Sequence, residues 1–330
     1  MHGPEYTFPM PLSPILGHRT QLEQLRQDLQ TGNVSHAYLF EGARHLGKFS
    51  VAKWFASELL TAHLEGAERA AAEHQVERLL SSDLLVLDKL WIEDQMEDFD
   101  EIAKYSNITQ DHRKKAKARS DTISIDDVRA IQERLYEIPT GRFRCCLIRS
   151  VERMQAEGVN ALLKILEEPP QGLVFILTTE SMSSLLPTLV SRARVLRFSR
   201  LHDEEMEQLL ADASEQDARF LIRLAQGAPG VIVRLRGDPE RLRAEHALYA
   251  AAVAAWHSGS LLECLQNLRP LEDKTAAGRF LLHLALSLRD EILTLPAGAG
   301  EALMELVRGM DTNVSRQMLA QKFAMDVRGL

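Results

Sequence analysis

Between Gly17 and about Arg200 the hydrophobic positions of the chain alternate between two patterns. Short apolar runs at Ala37–Glu41, Asp83–Asp88, Arg144–Arg149, Leu173–Thr178 and Val195–Phe198 read as strands. Several of them lack polar alternation, as strands do when helices cover both faces of a sheet. Helical spacing fills the intervals. Leu22, Leu25 and Leu29 share one helix face, with Thr20 and Glu23 as a capping box and Gly32 as the stop. Val51, Phe55 and Leu59 mark a second helix, and Val128, Ile131 and Leu135 a third over Asp126–Tyr136. A fourth runs from about Gln155 to Glu168, where Pro169-Pro170 ends it. Strands separated by helices predict an α/β fold with a mostly parallel, doubly wound sheet.

After Leu201 the strand signals stop. Residues 202 to about 238 read as short helices broken at Gly227-Ala228-Pro229-Gly230. Beyond them Leu261, Leu265 and Leu268, then Phe280, Leu281, Leu284 and Leu288, form apolar stripes that read as the core of a helical domain. The expected organisation is an α/β domain over 1–200, a small helical segment over 201–238 and an all-α domain over 239–330. Trp91 to Asp121 fits none of these. An acidic block, Glu93 to Glu101, precedes a basic one, Arg113 to Arg119, the pattern of a solvated, self-attracting loop or helix pair. Contact of the basic run with DNA or a partner is the alternative, although it lacks the interleaved aromatics of a single-strand binder.

Composition narrows the classes. The chain has 330 residues, 45% hydrophobic and 26% charged, an ordinary globular balance. A net charge of -8 argues against a protein that coats nucleic acid by itself, but not against a subunit of a DNA-handling assembly. No apolar stretch has membrane-spanning length, and Met1 to Pro14 lacks the basic-then-apolar order of a signal peptide. Cys145 and Cys146 read as buried thiols, and no C-x-x-C pair offers a zinc site. A reducing, cytoplasmic location is expected.

The candidate chemistry follows the first strand. Gly42-Ala43-Arg44-His45-Leu46-Gly47-Lys48 satisfies the first seven places of G-x-x-x-x-G-K-[ST], with a strand before it and a helix after it. Gly42, Gly47 and Lys48 are the cofactor-binding candidates, as a vestigial phosphate loop. The eighth place, which needs a hydroxyl for Mg²⁺, is Phe49; Ser50 is turned roughly 100° from it around the helix. The strand Arg144–Arg149 should end in carboxylates for the metal and water, yet here stand Arg149 and Ser150.

Three further blocks carry a resemblance. His36-Ala37-Tyr38-Leu39-Phe40-Glu41-Gly42, Asn160-Ala161-Leu162-Leu163-Lys164-Ile165-Leu166-Glu167-Glu168-Pro169-Pro170 and Leu186-Pro187-Thr188-Leu189-Val190-Ser191-Arg192 resemble the bacterial DNA polymerase III clamp-loader subunits, which are AAA+ proteins. The resemblance covers about Gly17 to Gly230, and the helical C-terminus only in character. Within that family it is to the delta-prime type, whose phosphate loop does not work. It implies an AAA+ sheet domain, a helical lid over 201–238 and a collar-like oligomerisation domain over 239–330. It also implies a non-hydrolysing subunit that joins tau/gamma and delta subunits and meets the sliding clamp and primed DNA through the complex. The family's lid arginine is replaced by Gly230. Its Ser-Arg-Cys motif stands here as Ser191-Arg192-Ala193, and the resemblance makes Arg192 an arginine finger for a neighbouring subunit's ATP, a plain surface arginine or salt-bridge partner being the lesser alternative. Thr178 and Thr179 match the family's first sensor and, without a competent site, serve packing or hydrogen bonding. The family's four-cysteine zinc module is replaced by the cysteine-free run Ala67 to Leu80, so no zinc is expected and no catalytic residue in cis. Weak binding of nucleotide or phosphate at the loop remains open. Two alternatives stand beside this reading. One is an active ATPase of the tau/gamma type, with Lys48 on ATP and Asp88 or Glu152 as the acid. The other is a stand-alone DNA-binding module using residues 113–119.

Overall fold

The computed structural model describes residues 15–78, 80–88, 123, 125–291, 293–310 and 312–329. The acidic–basic stretch from Trp91 to Asp121 lies outside the described residues. The chain divides into two compact units, one holding residues up to 211 together with 227–230, the other 212–226 with 231–330.

The first unit is a five-stranded, wholly parallel sheet: β1 Ala37–Glu41, β2 Leu84–Asp88, β3 Arg144–Arg149, β4 Leu173–Thr179 and β5 Arg194–Arg197, in the order β2-β3-β4-β1-β5. Each strand lies within a residue or two of its expected position. The central β1 and β4 are buried along almost their whole length, as their unbroken apolar runs require. Helices α1 Arg19–Thr31, α2 Lys48–Thr61, α3 Gly66–Glu77, α4 Ile125–Leu135 and α5 Ala156–Glu167 connect them. Val51, Phe55 and Leu59 of α2 and Val128, Ile131 and Leu135 of α4 are all buried on the expected faces.

The start of α1 differs from expectation. The cap is His18, in a left-handed conformation (φ 56°), and no side chain caps the helix. Thr20 lies inside the helix and forms no capping box with Glu23. The His18 ring is engaged elsewhere, against the phosphate loop. At the other end Gly32, with φ 68°, closes the helix as expected, its N–H meeting the Leu29 carbonyl.

The second unit is all helical. Its core joins Ala252 and Trp256 of the helix Pro239–His257, Phe280 and Leu284 of Ala277–Glu291, Leu303 of Ala299–Met310 and Phe323 of Arg316–Arg328. Ser260 caps the helix Leu261–Asn267, so Leu261 falls on its first turn and is exposed; Leu268 is buried and Leu265 packs against the core as expected, and Cys264 joins them in place of Leu261. No helix among the described residues is long and apolar enough to cross a membrane.

Candidate functional site

The loop after β1 is shaped by its glycines. Gly42 sits at φ 152°, where an added Cβ would collide with the Phe198 carbonyl, and its N–H donates to the Thr179 carbonyl at 3.1 Å. Gly47, at φ 90°, starts α2. Both conformations suit glycine, and Lys48 follows as the first residue of α2.

What fills that loop is the protein itself. The Lys48 ammonium donates to the carbonyls of Gly42 and Ala43, the latter at 2.7 Å. Burial pushes its pKa down to about 8; Arg149 and Arg44 add to the fall, while the carboxylates of Glu180 and Glu152 oppose it. Arg44 crosses from the loop to Glu180, just past β4, at 2.5 Å. His18 Nε2 meets the Leu46 carbonyl at 2.6 Å, and the ring packs edge-on against Phe198 with centroids 4.8 Å apart. Burial holds the His18 pKa below the usual histidine value, which favours a neutral ring donating through Nε2. The Gly230 N–H donates to the His45 carbonyl at 2.8 Å. Sequence reasoning missed the His18 contact: a histidine ahead of a helix carries no local signal of a loop it meets only after folding.

Phe49 and Arg149, at the sequence positions where the motif would need a hydroxyl and a carboxylate, meet one another. Phe49 projects from the first turn of α2, and the Arg149 guanidinium, at the end of β3, lies 4.1 Å from its ring centroid. Lys53 stands 5.8 Å from the same ring. Ser50 is exposed. Ser150 is left-handed (φ 52°), and its N–H donates to Thr178 Oγ1 at 3.0 Å. Thr178 thus holds the end of β3, while Thr179 Oγ1 bonds the backbone of Ser181. Both carboxylate oxygens of Glu152 are buried without a hydrogen-bond partner among the described residues.

Ser191 and Arg192 stand apart from the loop. They follow the short helix α6, Pro187–Val190. Arg192 Nη1 donates to the Thr188 carbonyl at 2.9 Å and Nη2 to Glu167 at 2.8 Å, while Ser191 Oγ donates to the same Thr188 carbonyl at 3.1 Å. Arg194 is placed differently: its Nη1 lies 2.5 Å from the buried carboxylate of Asp28, which also accepts from the Tyr38 hydroxyl at 2.9 Å. In the stretch that stands in place of the family's zinc module the chain forms α3, which buries Val76 and ties Arg69 to Glu58 and Glu73. Among the described residues no group of His, Cys, Asp and Glu could hold a metal ion.

This geometry can be set beside known proteins. A family model described as DNA polymerase III, delta subunit, matches residues 17–202, more than half of the chain. The chain belongs to this delta-subunit family. It is a clamp-loader family member, and its family is one of DNA replication proteins. The tau subunit of Bacillus subtilis is 24% identical over 343 residues, spanning 95% of this chain and 56% of that protein. The gamma/tau subunit of Mycobacterium tuberculosis is 28% identical over 235 residues, spanning 67% of this chain and 36% of that protein. This chain therefore spans between about a third and just over half of these two relatives' length. Among solved structures, a gamma subunit-related protein of Thermotoga maritima is 18% identical with a TM-score of 0.47, covering 94% of this chain and 99% of that one. The Bacillus subtilis clamp-loader delta protein is 12% identical with a TM-score of 0.36, covering 94% and 100%.

Proposed function

We propose that the chain is a delta-prime-type clamp-loader subunit. It does not hydrolyse ATP, joins tau/gamma and delta subunits in the cytoplasm, and helps load the sliding clamp onto primed DNA. The observation that carries this reading is the Arg149–Phe49 stack, which puts a cation and an aromatic ring where phosphoryl transfer needs a metal hydroxyl ligand and a carboxylate. The loop's own contacts support it: Lys48 is spent on loop carbonyls, and Gly230, in the place of the lid arginine, lies against His45. In this reading Arg192, with Ser191, completes a neighbour's ATP site. A guanidinium suits that role because it stays charged and presents several donors to phosphate oxygens.

The all-helical region from 239 to 330 is the oligomerisation element in this proposal, and residues 201–238 are the lid. Met304, Val307, Met318 and Met325 are exposed on its last two helices, which is compatible with a covered face in an assembly. A chain ended near Gly237 should then fail to join its partners at full affinity.

The test is reconstitution with wild-type tau/gamma and delta subunits. The chain alone should show only background ATPase, and the assembly carrying Arg192→Ala should form normally but show lower clamp- and DNA-stimulated ATPase and loading. One observation favours a second reading, an active ATPase with an atypical acid: the unpartnered Glu152 carboxylate acts electrostatically on Lys48. Hydrolysis by the isolated chain, abolished by Glu152→Gln and by Lys48→Ala, would establish that reading instead.

A further inference from the structure

Glu167 and Arg192 lie 25 residues apart, yet their side chains meet at 2.8 Å. The contact rests on two stiff pieces of backbone. Glu167 is the last residue of α5, and Pro169-Pro170 follows within one turn, fixing the chain's exit. The other anchor, the Thr188 carbonyl, belongs to α6, which begins with Pro187. A carboxylate at a helix C-terminus faces the negative end of the helix dipole and gains from a cation beside it. Arg192 is that cation.

We infer that Glu167 is the positioning residue for Arg192. This rests on the trans role proposed for Arg192 above. Glu167 and Thr188 engage one N–H on each terminal nitrogen and fix the plane of the guanidinium. Of its five donors, the rest meet no acceptor among the described residues and can engage an anion from outside the chain. A long side chain held this way meets a neighbour's phosphate already oriented, and orientation matters because a displacement of about 1 Å at such a group can cost on the order of 10²-fold in rate. Both partners keep a solvent-facing portion, with Arg192 32% and Glu167 53% exposed, so the pair is reachable from outside.

The experiment uses clamp-loader assemblies built with wild-type partners and this chain as wild type, Glu167→Ala, Glu167→Gln, Arg192→Ala or the Glu167→Ala/Arg192→Ala double variant. The readouts are kcat and KM of the clamp- and DNA-stimulated ATPase, with assembly checked by size exclusion. Glu167→Ala should remove about half or more of the part of kcat that depends on Arg192, leaving KM for ATP nearly unchanged, as expected for a lost orientation. Glu167→Gln should retain more than Glu167→Ala, because its amide oxygen still accepts from Nη2. The double variant should match Arg192→Ala alone. If Arg192→Ala slows the assembly while Glu167→Ala leaves kcat at the wild-type value, the pair is a surface salt bridge and the inference fails. If Glu167→Ala raises kcat, Glu167 restrains the arginine and the inference fails in the opposite sense. An inert Arg192→Ala would overturn the arginine role itself, and the positioning role with it.

Discussion

The Arg149 guanidinium lies over the Phe49 ring, 4.1 Å from its centroid. Two of the residues that stand where the phosphate-loop motif would need a hydroxyl and a carboxylate thus satisfy one another. A cation on an aromatic face contributes about 0.5–1 kcal/mol where partly exposed. We expect Arg149→Ala to lower the chain's stability by about that amount, measured by denaturant unfolding, with Arg149→Lys losing less. Neither variant should hydrolyse ATP, and turnover by the wild-type chain should stay far below the ~1 s⁻¹ of a slow competent enzyme. A steady-state assay with Mg²⁺ checks both.

Lys48 makes the same site sensitive to pH in an unusual direction. Burial brings its pKa down to about 8 from 10.5, so between these values the unfolded chain binds more protons at this residue than the folded one. Stability rises with pH wherever that holds. Below pH 8 both states carry the charge and the cost of burying it is fully present; as pH climbs towards 10.5 the folded lysine loses its proton first and the cost is relieved. Wild-type stability relative to Lys48→Met should therefore improve as pH rises from 7 to about 10. Parallel urea titrations of the two proteins give the answer, and a gap that stays constant would count against a depressed Lys48.

Most of the first unit could be read from the sequence, for a simple reason. A strand covered on both faces must be apolar throughout, and Leu39, Leu147 and Ile176 lie in runs where no polar residue interrupts. Contacts between distant segments were not legible. Thr20 and Glu23 have the spacing of a capping box, but whether it forms depends on His18, whose ring is drawn to the Leu46 carbonyl 28 residues on. Phe49 and Arg149 each read as the loss of a catalytic group. That they stack on one another follows from the sheet order, which brings the end of β3 near the start of α2. Glu167 was visible only as part of a motif, because its partner is set by the placement of α6.

Gly230 tests how closely its segment is seated on the loop. A Cβ there would stand 2.9 Å from the His45 carbonyl oxygen and 3.2 Å from its Cα, and neither backbone atom belongs to a flexible side-chain end. Introducing the family's arginine by Gly230→Arg should therefore not recover nucleotide chemistry. It should force the two backbones apart and cost about 1–3 kcal/mol, as overpacking does. Gly230→Ala should already show most of that loss in thermal unfolding, since the conflict begins at Cβ.

Arg192 and Arg194, two residues apart, should separate cleanly into a role at a neighbour's ATP and a folding role. Among the described residues Arg192 is tied only to Glu167, itself 53% exposed, and to a local carbonyl; surface pairs of this kind contribute little. Arg192→Ala should thus change stability by no more than about 0.5 kcal/mol. Arg194 instead neutralises Asp28, a carboxylate only 3% exposed that also holds the Tyr38 hydroxyl. Removing Arg194 leaves that carboxylate buried without its cation, and Arg194→Ala should cost about 1–3 kcal/mol. Adding Asp28→Asn should restore part of the loss, because the remaining amide needs no counter-ion and its oxygen can still accept from Tyr38. Arg194→Ala is accordingly a poor control for Arg192→Ala in any ATPase assay, since its effects would arise through the fold. Arg197→Ala is the better one: Arg197 is 75% exposed, and its contact with Glu41 is long at 3.5 Å. Equal destabilisation by Arg192→Ala and Arg194→Ala in a chemical melt would show that Arg192 is part of the fold's own framework and not a residue held in reserve for a neighbour.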